Sequence, residues 1–334
     1  MKTALITGIT GQDGSYLTEL LLEKGYAVHG IVRRTSNLAR SRVDHLRRDQ
    51  SSYSDRLFLH YADLGDGTTL RRVFSKVRPS EIYHLAGQSH VGLSFEIPES
   101  TSEETAMATL RLLEIARDQP APVKFYHASS SEIFGNAADF PQTEETPLRP
   151  TSPYGCAKAF ATQIARVYRE SYGLFICNGI LYNHESPRRG ENFVTRKIAR
   201  AAARIARGLE HEVVLGSLDA RRDWGWAPDY VEAMWLMLQH SRADDYIVAT
   251  GETHSVGDFV EAAFSTVNLR WQEHVKYDTS FERPTEPARL VGSTTKIEEA
   301  LGWKRSHTFA DVVREMVDGE LAAIDSDNSA NPAA

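Results

Sequence analysis

The chain has 334 residues, a formal net charge of -7, 41% hydrophobic and 25% charged residues, and two cysteines. That length suits one large domain or two unequal ones around a sizeable core, and the mild acidity argues against a general nucleic-acid binder. Cys156 and Cys177 offer neither a disulfide framework nor metal-ligand spacing, which fits a reducing compartment. No apolar run is long enough to cross a bilayer, and the first residues enter a strand pattern without a leader, so a cytoplasmic protein is expected.

Residues 4–7 read as a buried strand, followed at once by Gly8-Ile9-Thr10-Gly11-Gln12-Asp13-Gly14 and a helix over 14–24 ended by Gly25. Glycines between a strand and a helix let the backbone approach a pyrophosphate, whose charge the helix N-terminus favours. This spacing is a variant of the dinucleotide fingerprint, so the turn is expected to bind a cofactor. A second strand over 27–32 ends in Arg33-Arg34-Thr35-Ser36. A NAD site usually carries an acid there for the ribose. Two guanidiniums and two hydroxyls suit a 2′-phosphate instead, so NADP is expected; the alternative is a solvated basic turn. A third strand over 57–61 leads to Asp63-Leu64, placed to meet the adenine. A helix near 68–77 and a fourth strand over 81–85 lead to Leu85-Ala86-Gly87, placed for close backbone approach to the cofactor. Both pieces also read as ordinary loop.

After a helix near 106–117, a fifth strand over 123–128 ends in Ser129-Ser130-Ser131-Glu132. A long helix is expected from Pro153, a residue suited to a first turn, and it carries Tyr154-Gly155-Cys156-Ala157-Lys158. Tyr-x-x-x-Lys sets phenol and amine one turn apart on one face. The ammonium is expected to lower the pKa of Tyr154 and make it a base near neutral pH. Serines at a strand end are often caps or turn formers. Beside Glu132, Tyr154 and Lys158 they read as catalytic. One acid/base group suffices to dehydrogenate an alcohol; Glu132 as a second points to another proton moved after the oxidation. With a sixth strand over 176–181, strands and helices alternate throughout this half. The fold class expected is α/β, a Rossmann-type doubly wound parallel sheet with a smaller C-terminal substrate-binding α/β domain.

Beyond residue 181 the texture changes. Residues 183–192 read as a polar loop, helices are expected over 194–207, 229–240 and 256–263, and short strands over 213–215 and 246–249. The division expected is a dinucleotide-binding domain over 1–181 with later chain crossings, a mainly substrate-binding domain over 182–324, and a disordered tail over 325–334. Arg188-Arg189 could hold phosphates or face water. Arg222-Asp223-Trp224 could be an ion pair beside a core tryptophan, and Arg283-Pro284-Thr285-Glu286 a loop clip or a ribose and phosphate clamp. His184 reads as a hydrogen-bonded structural histidine or as a ligand residue, and the histidines show no metal spacing.

Taken together, the glycine turn, Ser-x-Glu, Tyr-x-x-x-Lys and Arg-Asp-Trp resemble the extended short-chain dehydrogenase/reductases that modify nucleotide sugars. Longer stretches resemble the GDP-mannose 4,6-dehydratase family: Thr7 through Leu17, Arg42-Val43-Asp44-His45, Gln88-Ser89-His90-Val91, Asn183 through Gly190, Phe193-Val194-Thr195-Arg196-Lys197, Arg283-Pro284-Thr285-Glu286 and Leu301-Gly302-Trp303-Lys304. The resemblance spans nearly the whole chain. It implies oxidation of a GDP-sugar at C4 with Tyr154 as base, loss of water across C5 and C6 with Glu132 as acid/base, and hydride return to C6. Ser130 would stabilise charge on O4, and Lys158 would hold the ribose and tune Tyr154. It also implies a cofactor site that includes Ser89, His184 and Arg189, and a GDP-sugar site of Ser89, Glu132, Asn183, Val194, Lys197, Leu215, Gly216, Arg222, Arg283 and Glu286. Residues 35–47, long and basic, would reach a neighbouring subunit's cofactor site in a homotetramer, or a dimer; a basic surface loop is the other reading.

Departures from the family pattern are Ser130 where threonine is common, Thr101-Ser102-Glu103-Glu104-Thr105 near the expected nicotinamide, Ser293 where aspartate is common, and a distinctive stretch over 268–278. They leave the hexose open. The rivals are a 4,6-dehydratase of another GDP-sugar such as a GDP-heptose, a GDP-sugar epimerase or reductase, and a non-catalytic NADP-binding protein. Simple 4-epimerases need no acid/base at Glu132, and the presence of Glu132, Tyr154 and Lys158 opposes the last.

Overall fold

The structure is a computed structural model, and it describes residues 1–34, 41–48, 55–278 and 290–330. The first half runs β1 (Thr3–Thr7), α1 (Gln12–Glu23), β2 (Ala27–Val32), α2 (Ser41–Arg48), β3 (Leu57–Tyr61), α3 (Gly67–Val77) and β4 (Glu81–His84). Next come α4 (Pro98–Ser102) and α5 (Ala108–Arg117), joined by a π-helical turn at Glu103–Met107, then β5 (Lys124–Ser130), α6 (Pro153–Tyr172) and β6 (Phe175–Leu181). The second half holds β7 (Asn183–Glu185), α7 (Val194–Ala206), β8 (Val213–Leu215), β9 (Arg221–Arg222), β10 (Trp224–Trp226) and α8 (Ala227–Gln239). It continues through β11 (Asp245–Val248), β12 (His254–Ser255), α9 (Val256–Thr266), β13 (Val275–Tyr277), α10 (Thr295–Leu301) and α11 (Phe309–Ala330).

Seven strands form one parallel sheet in the order β11-β6-β5-β4-β1-β2-β3. The apolar runs of β1 and β2 are continuous because both faces are covered. Ala4 and Ile6 pack with α1 and α8, while Leu5 on the opposite face packs with α3, α5 and α6. Buried Met234, Met237 and Leu238 hold α8 on the sheet, each worth roughly 2 kcal/mol. A separate apolar core joins α7, α9 and α11 with β8 and Trp224.

Two expectations are corrected and one is made specific. The strand expected near 246–249 is a later chain crossing: β11 pairs with β6 as the seventh strand of the sheet. The stretch read as loop from Asn183 begins with β7, which pairs in parallel with β10. The tail expected to be disordered from Asp325 is helical as far as Ala330, and Asp325 is paired with Arg207 at 2.7 Å.

Candidate active site

The carboxyl ends of β1, β2, β4 and β5 open into one cleft of about 580 Å³, where a doubly wound sheet reverses direction and ligands bind. On its floor is the glycine turn. Gly8 has φ +75°, and a Cβ on Gly14 would fall 2.2 Å from the Gly8 carbonyl oxygen, so no side chain fits between turn and helix. Gly11 caps α1 without a capping side chain, leaving the helix N-terminus to face the cleft. These features fit a dinucleotide pyrophosphate.

The turn is fastened from behind. His184 Nδ1 lies 2.7 Å from the Tyr182 carbonyl and Nε2 2.9 Å from Asp13 Oδ2. Gln12 Nε2 donates to Asp13 Oδ1 at 3.0 Å and to the His184 carbonyl at 3.1 Å, and Ser186 Oγ donates to Gln12 Oε1 at 2.8 Å. Burial alone would push Asp13 up and His184 down. Their mutual attraction and hydrogen bond outweigh it, holding Asp13 below its ordinary 3.8 and His184 above its ordinary 6.5. His184 is thus a charged clamp with both ring nitrogens engaged by protein groups, although its residue also lines the cleft. Arg188 reaches back to α1, where it donates to Ser15 Oγ at 3.1 Å and to Glu19 at 2.7 Å. Arg189 lines the cleft over the Phe193 ring, 3.2 Å from buried Glu185.

At the reactive end, β5 delivers Ser130, whose hydroxyl accepts the Glu132 N–H at 3.3 Å and starts the short turn Ser131–Ile133. Ser152 caps α6 by accepting from the Gly155 N–H at 3.0 Å, with Pro153 in the first turn. A Cβ on Gly155 would lie 2.7 Å from the Glu132 carbonyl, so glycine lets α6 press against the serine–glutamate turn. Ser130, Glu132, Tyr154 and Lys158 all line the cleft and are each at least 91% buried.

The expectation that Lys158 acidifies Tyr154 is not met. Burial pushes the phenol up to about 12, and a hydrogen bond from Ser130 offsets only part of it. Lys158 Nζ donates to the Ala128 carbonyl at 2.7 Å and lies 5.9 Å from the Tyr154 ring centre; burial pulls its pKa down to about 8. An ammonium already spent on a carbonyl, and costly to keep charged, exerts little pull on the phenol.

Of the remaining expected cofactor residues, Thr10, Arg33, Asp63, Leu64, Leu85, Ala86, Gly87 and Ser89 line the cleft. Thr7 Oγ1 accepts the Ala86 N–H at 3.2 Å and sits 2.8 Å from buried His84, fixing the end of β4 against β1. Arg34 is exposed and does not line the cleft, and Ser36 lies outside the described residues. Among the expected substrate residues Asn183 lines the cleft, whereas Val194, Lys197, Leu215, Gly216 and Arg222 do not. Leu215 is buried in the second core, and Arg222 donates to the Arg221 carbonyl at 2.7 Å. Arg283 and Glu286 lie outside the described residues. Asp223, considered as an ion-pair partner of Arg222, turns instead to the chain after β11. Its oxygens accept the N–H groups of Thr250 at 2.8 Å and Gly251 at 3.0 Å.

Among the cleft residues that the sequence reading of the site missed, two carry a full charge, Arg42 and Glu104. Arg42 donates to the Thr10 carbonyl at 3.3 Å; its Arg-Val-Asp-His motif signals only resemblance. Glu104, from the atypical segment expected near the nicotinamide, sits 3.6 Å from Arg33, at the end of the cleft assigned to adenosine.

A cleft of this build belongs to the Rossmann-type, extended short-chain dehydrogenase/reductase class of nucleotide-sugar enzymes. More narrowly, the chain belongs to the GDP-mannose 4,6-dehydratase family, whose model, described as GDP-mannose 4,6 dehydratase, matches residues 5–316. It is 53% identical over 325 residues to GDP-mannose 4,6 dehydratase 1 of Arabidopsis thaliana, covering 96% of this chain and 90% of that one. It is 48% identical over 350 residues to GDP-mannose 4,6-dehydratase of Yersinia enterocolitica, covering 96% and 94%. Among solved structures, UDP-glucose 4-epimerase of Thermus thermophilus in complex with NAD superposes with a TM-score of 0.81 at 28% identity, covering 96% and 99%.

Proposed function

We propose that the protein converts GDP-mannose to GDP-4-keto-6-deoxymannose and water, with NADP as a resident cofactor. The carrying observation is that two separate acid/base groups, Tyr154 and Glu132, are buried in the cleft that holds the glycine turn. Bound NADP would supply the hydride acceptor at C4, the hydride donor at C6 and a positive charge near the phenol. Tyr154 takes the proton of the 4-hydroxyl, and Ser130 hydrogen-bonds the oxygen on which charge develops. The 4-ketone acidifies C5–H; Glu132 removes that proton and protonates the departing C6 hydroxyl. Lys158 holds the ribose and favours the phenolate once its partner changes from the Ala128 carbonyl to a ligand.

NADP over NAD rests on Arg33, a guanidinium at the cleft's edge where an acid would serve a ribose hydroxyl. Asn183, Val194, Lys197, Leu215, Gly216, Arg222, Arg283 and Glu286 are assigned to the GDP portion by family resemblance, with the chain after residue 182 as the mainly substrate-binding part. Both cysteines are free, in keeping with a reducing, cytoplasmic setting, and no described helix is long and apolar enough to cross a membrane. A homo-oligomer is part of the same reading.

The test is incubation of the purified protein with GDP-mannose and substoichiometric NADP, followed by mass analysis. Loss of one water without net cofactor consumption is expected. Unchanged GDP-mannose beside tight NADP binding would overturn the substrate and direct attention to other GDP-sugars, heptoses first.

A further inference from the structure

The π-helical turn at Glu103–Met107 sends two neighbouring carboxylates apart. Glu103 turns outward to Arg111 at 2.7 Å, and Arg111 donates to the Leu64 carbonyl at 2.5 Å. Glu104 turns into the cleft, where its Oε1 lies 3.6 Å from Arg33 Nη1 and accepts from Ser100 Oγ at 3.4 Å. Arg33 and Glu104 both line the cleft; Arg34 does not. Asp63, the other carboxylate at this end, is turned to its own loop and accepts the Gly65 N–H at 2.8 Å. Glu104 therefore already answers the guanidinium that a ligand's phosphate would need.

We infer that Glu104 is a specificity-determining residue of the adenosine end: it occupies Arg33 in place of a 2′-phosphate and so narrows the preference for a 2′-phosphorylated dinucleotide over an unphosphorylated one. The inference rests on the reading of Arg33 as the phosphate contact. A phosphate dianion arriving at Arg33 must displace the carboxylate and then remain close to it, a like-charge contact. A ribose 2′-hydroxyl displaces nothing and can donate to Glu104. At 62% and 36% exposure the pair adds little to folding, as solvated ion pairs do, so replacing Glu104 should change binding without unfolding the chain.

The experiment is calorimetric titration of the full chain with adenosine 2′,5′-bisphosphate and with AMP, for wild type, Glu104→Gln, Arg33→Met and the double variant. E104Q should tighten the bisphosphate about tenfold, the worth of one like charge several ångströms away in a solvated cleft. AMP should move less than about twofold, and the bisphosphate gain should shrink as salt rises. In the Arg33→Met background the gain should shrink, because the share that comes from freeing the guanidinium from Glu104 is gone. Equal tightening of both ligands, no change, or weaker bisphosphate binding would overturn the inference; so would a full gain without Arg33. The underlying readings fail separately. Wild type holding NAD tighter than NADP would remove the cofactor assignment, yet E104Q must still shift the ratio toward the 2′-phosphate. Failure to dehydrate GDP-mannose touches neither result.

Discussion

The two ends of the cleft obey different electrostatics. At the reactive end, Tyr154 and Lys158 are more than nine-tenths buried, and burial dominates both pKa values, moving the phenol to about 12 and the ammonium to about 8. At the opposite end, proposed above to take the adenosine, Arg33 and Glu104 face each other at 3.6 Å and are both solvent-exposed. Desolvation lends the reactive end large energies, available to chemistry and costly to the fold. The adenosine end trades in small solvated energies, suited to choosing between similar ligands.

The sharpest way to break this contrast is to strip the reactive end. Tyr154→Phe and Glu132→Gln should each lower turnover on GDP-mannose by roughly 10²–10⁴-fold, the usual worth of a positioned acid or base. Their single-turnover behaviour should differ. Glu132→Gln keeps the first oxidation, seen as a burst of reduced-nicotinamide absorbance, and stalls before water is lost; Tyr154→Phe gives no burst. A normal burst in the tyrosine variant, or full turnover in the glutamate variant, would invalidate the assigned roles.

Lys158 tests whether burial there burdens the fold. Its folded pKa, about 8, lies below the ordinary 10.5. Between those values the folded state binds fewer protons than the unfolded one, so this group's contribution to stability rises with pH across that window. At neutral pH the folded chain carries a buried ammonium at a cost of roughly 3 kcal/mol. Lys158→Met should remove that cost and raise the urea midpoint at neutral pH, with the advantage fading as pH rises from about 8 toward 10.5, while activity is lost. A variant no more stable than wild type at neutral pH would mean that the bond to the Ala128 carbonyl fully offsets the desolvation.

What the sequence made legible follows the same line. The glycine turn, Ser130 with Glu132, and Tyr154 with Lys158 are short patterns at strand ends and helix starts, where local chemistry decides position. The first six strands were legible because apolar runs bounded by turn residues need no knowledge of their neighbours. The sheet position of β11 was not legible because joining β6 depends on pairing across 67 residues, as the Asn178–Asp245 contact does. The partner of His184 is 171 residues away, and Arg188 finds its partners on α1. The pKa of Tyr154 was misjudged because spacing along a helix shows the lysine but not the desolvation. The contact of Glu104 with Arg33 was not legible because the π turn that aims it has no clear sequence signature.

The clamp behind the glycine turn sharpens the comparison further, because it is nearly buried yet serves the part of the cofactor common to NAD and NADP. Asp13 is held below 3.8 and His184 above 6.5. The aspartate's share of stability is present above pH 3.8 and lost as pH falls through its lowered pKa. The histidine's share is complete below pH 6.5 and lost as pH rises through its raised one. His184→Gln should therefore cost most between those limits, about 2 kcal/mol, less than a fully enclosed pair because Asp13 keeps 21% exposure. The same change loosens the turn that approaches the pyrophosphate, so NAD and NADP should weaken by the same factor, whereas E104Q moves only the 2′-phosphorylated ligand. Calorimetry with both dinucleotides, paired with urea melts near pH 5 and pH 8, reads both effects. A His184 variant that discriminated between NAD and NADP would mean that the turn and the adenosine end are not independent, and the division between them would fail.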